Sequence, residues 1–226
     1  MEKENIIISL GGSLIIPDEI DLDFLRKFRN LILKHLKKKK FFIYVGGGKT
    51  ARQYQKALAK LGAKASEIDW IGIEITILNA KLIKTLFGKF CEPEIIIDPT
   101  RKINRKKDIF IAAGWKPGWS TDYDAVLLAK NLGGIKKIIN LTNIDYVYDK
   151  NPKKFKNAKI LKEIDWKNYR KIVGEKWSPG LSTPFDPIAA RLAEKLKMKV
   201  IIINGRKIER LKNVLRNRPF IGTEIG

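Results

Sequence analysis

Histidine and cysteine each occur once in these 226 residues, as His35 and Cys91. One chain therefore cannot assemble a Cys/His dyad, a Ser-His-Asp triad or a histidine-rich metal centre, and no resident metal site is expected. A single cysteine also excludes an internal disulfide, which fits a reducing compartment. Long apolar runs are missing too: residues 41–45 and 200–203 fall far short of the roughly 20 residues a membrane helix needs. The opening MEKENIIISLGGS has no charged-then-apolar leader, so a cytoplasmic location is expected. Acidic residues are scarce beside basic ones, 24 against 46, leaving a net charge of +22. Lysines number 35 against 11 arginines and are spread through every segment. Because lysine is a hydrated point charge and arginine the planar reader of phosphates, a solvated surface is the plainer reading of that excess. Steering of polyanionic small molecules and a nucleic-acid face are the alternatives. His35 lies on a helix face before a lysine run, where it reads as a surface residue. Catalysis must then rest on positioning, backbone amides, lysines, arginines and carboxylates, and phosphoryl transfer runs on those means.

What is present is an alternation of short apolar strands and helices. Strands are expected over residues 6–10, 41–45, 95–97, 109–113, 137–141 and 199–203, and helices over 22–36, 51–61, 71–87, 122–132 and 189–196. Strands apolar throughout and separated by helices predict an α/β fold with a mainly parallel sheet covered on both faces. Residues 147–172 are more polar and read as peripheral turns with a short helix from Trp166.

Three glycine turns follow three of these strands: LGGSL at residues 10–14, VGGGKTAR at 45–52 and AAGWKPGWSTD at 112–122. In a parallel sheet all three reach the edge where ligands of open α/β folds bind. Glycines let backbone N–H groups approach closely, so together the turns would seat several phosphates. A P-loop is excluded, since its spacing needs glycine where Ile43 stands. Gly46, Gly48 and Ala51 satisfy G-x-G-x-x-A, with Asp69 near the distance of a ribose-binding acid, but the segment before Asp69 is not the second strand of a dinucleotide fold.

Each acidic candidate has a plainer reading. Thr121 to Asp124 can form a capping box, and Asp186-Pro187 a capped helix start. Asp145 follows a strand where an Asx turn is common. Asp122 and Asp124 are two apart, so on a helix they cannot both face one ligand. Trp115 and Trp119 could pack together, although two tryptophans in a glycine-proline loop suit the wall of a site for a flat base.

At this point the chain resembles the amino acid kinase superfamily, and most closely uridylate kinases of the archaeal-like type. IIISLGGSL, VGGGKTAR, DWIGIEITILNA, GWKPGWSTDYDAVLLA, LTNIDYVYDKNP and PFDPIAARLAEKLKMKVIIING occur in family order. The resemblance implies an open αβα sandwich and a UMP kinase that uses MgATP, with Mg²⁺ arriving on the nucleotide. One amino acid kinase domain is expected, with an acceptor lobe over about residues 1–140 and an ATP lobe over about 141–226, assembled as a homohexamer. By position it implies that Ser9, Leu10, Gly11, Gly12 and Ser13 line the ATP phosphates, with Gly48 and Arg52 facing ATP and Thr142, Tyr148 and Asn151 around adenosine. UMP would meet Gly47, Asp69 and the loop Gly114, Trp115, Lys116, Pro117, Gly118, Trp119, Ser120 and Thr121. Arg52, Asp122, Asp145 and Asp186 are the catalytic candidates, the arginine stabilising the moving phosphoryl and the aspartates orienting cationic groups or hydrated Mg²⁺. The amides of Gly114 and Gly118, with the charge of Lys116, would serve phosphate, and Lys49 or Lys116 would join Arg52 in stabilising the transferring charge. The chain departs from the family pattern at Asn151, Tyr146 and Ile77 and lacks a lysine in its first turn, which leaves nucleotide preference open. Another small-molecule kinase of the superfamily, acting on a carboxylate, carbamate or isopentenyl phosphate, and a basic nucleic-acid-binding regulator stay as alternatives.

Overall fold

In a computed structural model that describes residues 3–104, 106–176 and 183–226, the chain builds a seven-stranded sheet between two layers of helices. The first half runs β1 (Glu4–Leu10), α1 (Gly12–Ile15), α2 (Leu22–His35), β2 (Lys39–Val45), α3 (Gly48–Lys60), α4 (Ala65–Phe87), β3 (Ile109–Ala112) and α5 (Thr121–Leu132). The second half runs β4 (Lys137–Thr142), β5 (Val147–Tyr148), β6 (Ile160–Leu161), β7 (Glu163–Ile164), α6 (Trp166–Val173), α7 (Pro187–Lys195), β8 (Lys199–Asn204), α8 (Ile208–Leu215) and β9 (Thr223–Ile225).

The strand order is β3-β2-β1-β4-β8-β9-β7, and the first five strands are parallel throughout. From β1 the chain steps outward to β2 and β3 and then returns to place β4 on the other side of β1. The order therefore reverses between β1 and β4, and the carboxyl ends of those two strands open a crevice. Alternate strand residues serve the two cores. Ile8, Leu10, Ile43, Ile139 and Ile201 pack with Phe28, Ile83 and Leu211 from α2, α4 and α8. Ile7, Phe42, Phe110, Ile138 and Val200 pack with Leu128, Tyr169 and Ala190 from α5, α6 and α7.

Strands without a polar face sit inside this sandwich because both faces are covered, as the sequence pattern requires. One expectation is corrected. Residues 95–97 are not a strand: Ile96 alone bridges to Ala112, because the segment lies beyond the outer strand β3. The final strand β9 pairs antiparallel with β8. It and α8 are too short to stand out in the sequence.

Candidate functional site

The crevice encloses about 270 Å³ and is built by the carboxyl ends of β1, β2 and β4 and the starts of α1, α3 and α5. Its first two glycine turns are packed backbone against backbone. Gly11 N–H donates to Leu141 O at 2.9 Å and Gly46 N–H to Leu10 O at 2.9 Å, tying both turns to the sheet. A Cβ on Gly12 would lie 2.4 Å from both Gly46 O and Gly48 N, so no side chain fits there. Gly48 has φ +66, the left-handed conformation that glycine adopts freely. The first amides of a helix have no intrahelical acceptor, so those at the starts of α1 and α3 remain available where both helices meet the crevice.

The far wall is one face of α4. Asp69, Gly72 and Thr76 line the crevice, and Asn79 donates through Nδ2 to Gly46 O at 2.9 Å. These residues recur at helical spacing on an otherwise apolar helix. Gln55 of α3 covers Gly72, whose missing side chain makes room: a Cβ there would sit 2.4 Å from Gln55 Nε2.

The floor is a carboxylate pair. Ser9 Oγ donates to Asp122 Oδ1 at 2.8 Å, and Asp186 N–H donates to Asp122 Oδ2 at 3.2 Å. Asp186 caps α7 by accepting from Ala189 N–H at 2.6 Å, with Pro187 next in the chain. Its other oxygen is buried and accepts no hydrogen bond of normal geometry among the described residues, although the nearby Ser120 hydroxyl helps to lower the carboxyl. Behind it, Tyr169 clasps the Phe185 N–H and C=O, each at 2.7 Å, and Asn140 holds Pro184 O at 2.9 Å. Burial, helped by the neighbouring Asp186, pushes the Asp122 carboxyl up to about 7. Burial likewise raises Asp186 and Asp69 from the ordinary carboxylate value.

Residues 4–204 match the model of the amino acid kinase family. The chain belongs to the amino acid kinase family. It is 34% identical to the uridylate kinase of Pyrococcus abyssi over 94% of this chain and 96% of that one. With the uridylate kinase of Thermoplasma volcanium it shares 36% identity over 99% and 98% of the two chains. The crystal structure of the uridylate kinase of Archaeoglobus fulgidus superposes with a TM-score of 0.78 at 29% identity, covering 98% of this chain and 99% of that one. The fold expected from the sequence, an open αβα sandwich around a mainly parallel sheet, is the amino acid kinase fold.

Most sequence-predicted site residues of this family member meet in the crevice. Ser9, Leu10, Gly11, Gly12 and Ser13 line one side and Gly47, Gly48 and Arg52 the next. Asp69, Gly114, Trp119, Ser120 and Thr121 form the wall, with Asp122, Thr142 and Asp186 completing the floor and the β4 rim. Arg52 lines the crevice, is exposed and makes no ion pair among the described residues.

Seven predicted positions do not line the crevice. Asp145 is drawn into a surface cluster, pairing with Arg210 at 2.8 Å and Lys207 at 3.2 Å and accepting from Asn204 Nδ2 at 2.8 Å. These partners hold its carboxyl below the usual range, the Asn204 hydrogen bond foremost. Tyr148 sits in the β5–β6 hairpin, and Asn151 accepts from Lys153 N–H at 2.9 Å in a local turn, so neither reaches the crevice. Lys116 is turned onto aromatic faces, its Nζ 4.0 Å from the Trp115 ring centre and 4.6 Å from that of Trp119. Trp115 supports Trp119 edge-on at 5.3 Å, so one tryptophan makes wall and the other its backing. Pro117 lies in the same loop, outside the lining.

The third glycine turn is corrected most. Gly114 N–H donates to Thr76 Oγ1 at 2.8 Å and Gly118 N–H to Asp69 Oδ2 at 2.5 Å, so neither amide is free for a phosphate. Lys49 pairs with Asp18 on the surface rather than facing the crevice. The helix cap at α5 is Ser120, one residue before the expected box, accepting from Tyr123 N–H at 3.1 Å. Gln55, Gly72, Thr76, Asn79 and Asn140 were missed. Polar residues at helical spacing in an apolar helix were the available signal for Thr76 and Asn79; Gln55 and Asn140 carried none.

Proposed function

We propose that this chain is a UMP kinase, transferring the γ-phosphoryl of ATP to the phosphate of UMP to give ADP and UDP in pyrimidine nucleotide synthesis. The observation that carries this reading is the meeting of two backbone-packed glycine turns with Arg52 and the Asp122/Asp186 pair in one crevice. The uridylate kinase relatives at 34% and 36% identity over nearly the whole chain support the choice of acceptor.

The phosphates of the donor lie along Gly11 to Ser13 with Gly48 and Arg52 facing them, and the acceptor lies toward Gly47, Asp69 and Trp119. Residues up to about 140 then supply the acceptor lobe and those from about 141 the ATP lobe, with Thr142 on the adenosine side. Amides of the first two turns and the Arg52 guanidinium stabilise the spread negative charge of the transferring group. The phosphate of UMP is already a nucleophile near neutral pH, so the chain needs no strong base. The oxygen of Asp186 that accepts no hydrogen bond of normal geometry, beside Asp122, fits a cation carried in by phosphates, since Mg²⁺ is commonly held by one or two carboxylates plus substrate oxygens. Asp122 and Asp186 would hold it, and it would supply charge neutralisation between the phosphates. Asp145, tied to Arg210 and Lys207, takes no part in this account.

A homo-oligomer is part of the reading, a hexamer by resemblance. Tyr54 and Leu61 of the α3 region and Trp70 and Leu78 of α4 expose large apolar surface, with Leu61 82% exposed, which supports burial against another copy. Among the described residues no helix is long and apolar enough to cross a membrane, and a cytoplasmic location is proposed. The test is ADP release from MgATP with UMP, CMP, dUMP, acetylglutamate, aspartate or isopentenyl phosphate as acceptor. UMP should give the highest kcat/KM; turnover with UMP no faster than the acceptor-free blank would reject the assignment.

A further inference from the structure

The loop of residues 114–119 hangs from three side-chain acceptors on two helices. Thr76 and Asp69 of α4 take the amides of Gly114 and Gly118, and Asp124 of α5 takes that of Trp115 through Oδ2 at 3.1 Å. Thr76 and Asp69 also line the crevice, whereas Asp124 does not. It points away from the Asp122 side of α5 into the core beneath the loop, where it is fully buried. Its Oδ1 has no hydrogen-bond partner among the described residues, and the buried hydroxyl of Tyr44 on β2 has none either. Burial pushes the Asp124 carboxyl well above its usual range, opposed first by the Trp115 N–H hydrogen bond and then by the Lys116 charge.

A carboxyl with one oxygen unsatisfied in a core destabilises the fold, and an apolar side chain of similar size would cost less. Groups kept against stability mark places where function needs them. We propose that Asp124 is a positioning residue for the phosphate acceptor: by fixing the Trp115 amide it sets the loop that presents Trp119 to the crevice. This rests on the UMP kinase reading. Asp124 touches no substrate, and its effect reaches the acceptor through the backbone of residues 114–119.

The test compares Asp124→Leu and Asp124→Asn with the parent protein by thermal unfolding, amide hydrogen exchange of the 113–120 segment and steady-state kinetics. Asp124→Leu should melt no lower than the parent, exchange the segment about tenfold faster, and raise the KM for UMP about fivefold or more, with the KM for ATP and kcat within about twofold. Asp124→Asn retains a carbonyl to accept the Trp115 N–H and should restore both parental exchange and parental KM. An Asp124→Leu protein that fails to fold or melts well below the parent overturns the proposal, because Asp124 would then be a structural prop. Unchanged exchange overturns it as well, and faster exchange with an unchanged KM overturns its functional part. If the parent itself does not turn over UMP, the assignment of the acceptor fails, while the exchange data still decide whether Asp124 anchors the loop.

Discussion

The first two glycine turns and the third occupy the same edge of the sheet, yet they use glycine for opposite reasons. At Gly12 the neighbouring backbone is so close that any side chain would collide, and the packing brings two helix starts to one point. At Gly118 a Cβ would meet nothing within 4 Å; the residue is needed for φ +87, and its amide is held by Asp69. Shared composition therefore conceals a difference: the first two turns pack backbone against backbone and bring two helix starts to the crevice, while the third is a wall whose Gly114 and Gly118 amides are held by side chains of α4.

That difference predicts a graded set of effects. The largest loss of stability is that of Gly12→Ala, which should destabilise the fold by about 3 kcal/mol or more, whereas Gly118→Ala should cost about 1–2 kcal/mol from its left-handed backbone alone. Urea unfolding of the two variants decides this, and equal costs would erase the distinction.

Next comes Asp122→Asn. The unfolded carboxyl titrates at its ordinary value of 3.8 and the folded one at about 7. Between these values the unfolded chain releases a proton that the folded chain keeps, so the parent loses stability as pH rises through this window and levels off above it. The asparagine variant lacks this loss. Its stability relative to the parent should grow by about 4 kcal/mol between pH 4 and pH 8, measured by denaturant unfolding without divalent cations. A constant difference would mean that the carboxyl is not buried as described.

Arg52→Ala should lower kcat/KM at least about tenfold with no change in melting temperature, through loss of a charge-assisted phosphate contact. The smallest effect is expected for Lys116→Met. Because its ammonium rests on the tryptophan rings, the variant should lose about 0.5–1 kcal/mol of stability and keep kcat/KM for UMP within about threefold. A loss as large as that of Arg52→Ala would place Lys116 on the phosphate and make the third turn resemble the first two.

The alternation of apolar strands and helices was legible because strands covered on both faces carry no polar positions, as in residues 41–45. Glycine turns at strand ends and the Asp-Pro start of α7 were legible for local reasons, since close approach and capping leave signatures within a few residues. Contacts between distant segments were not. Asp145 follows its strand as a site residue would, and nothing nearby announces that Arg210 will claim it. Gly114 and Gly118 look free until Thr76 and Asp69 arrive from α4. Residues 95–97 are as apolar as a strand, but they lie where only one residue finds a partner.

The most direct test of the crevice as the place of transfer is a crystal structure with adenosine and uridine joined through a chain of phosphates. The phosphates should lie on the amides of residues 12–13 and 47–48, with the Arg52 guanidinium on the chain and the uridine against Trp119. Phosphates bound elsewhere, with residues 12–13 and 47–48 untouched, would contradict the account.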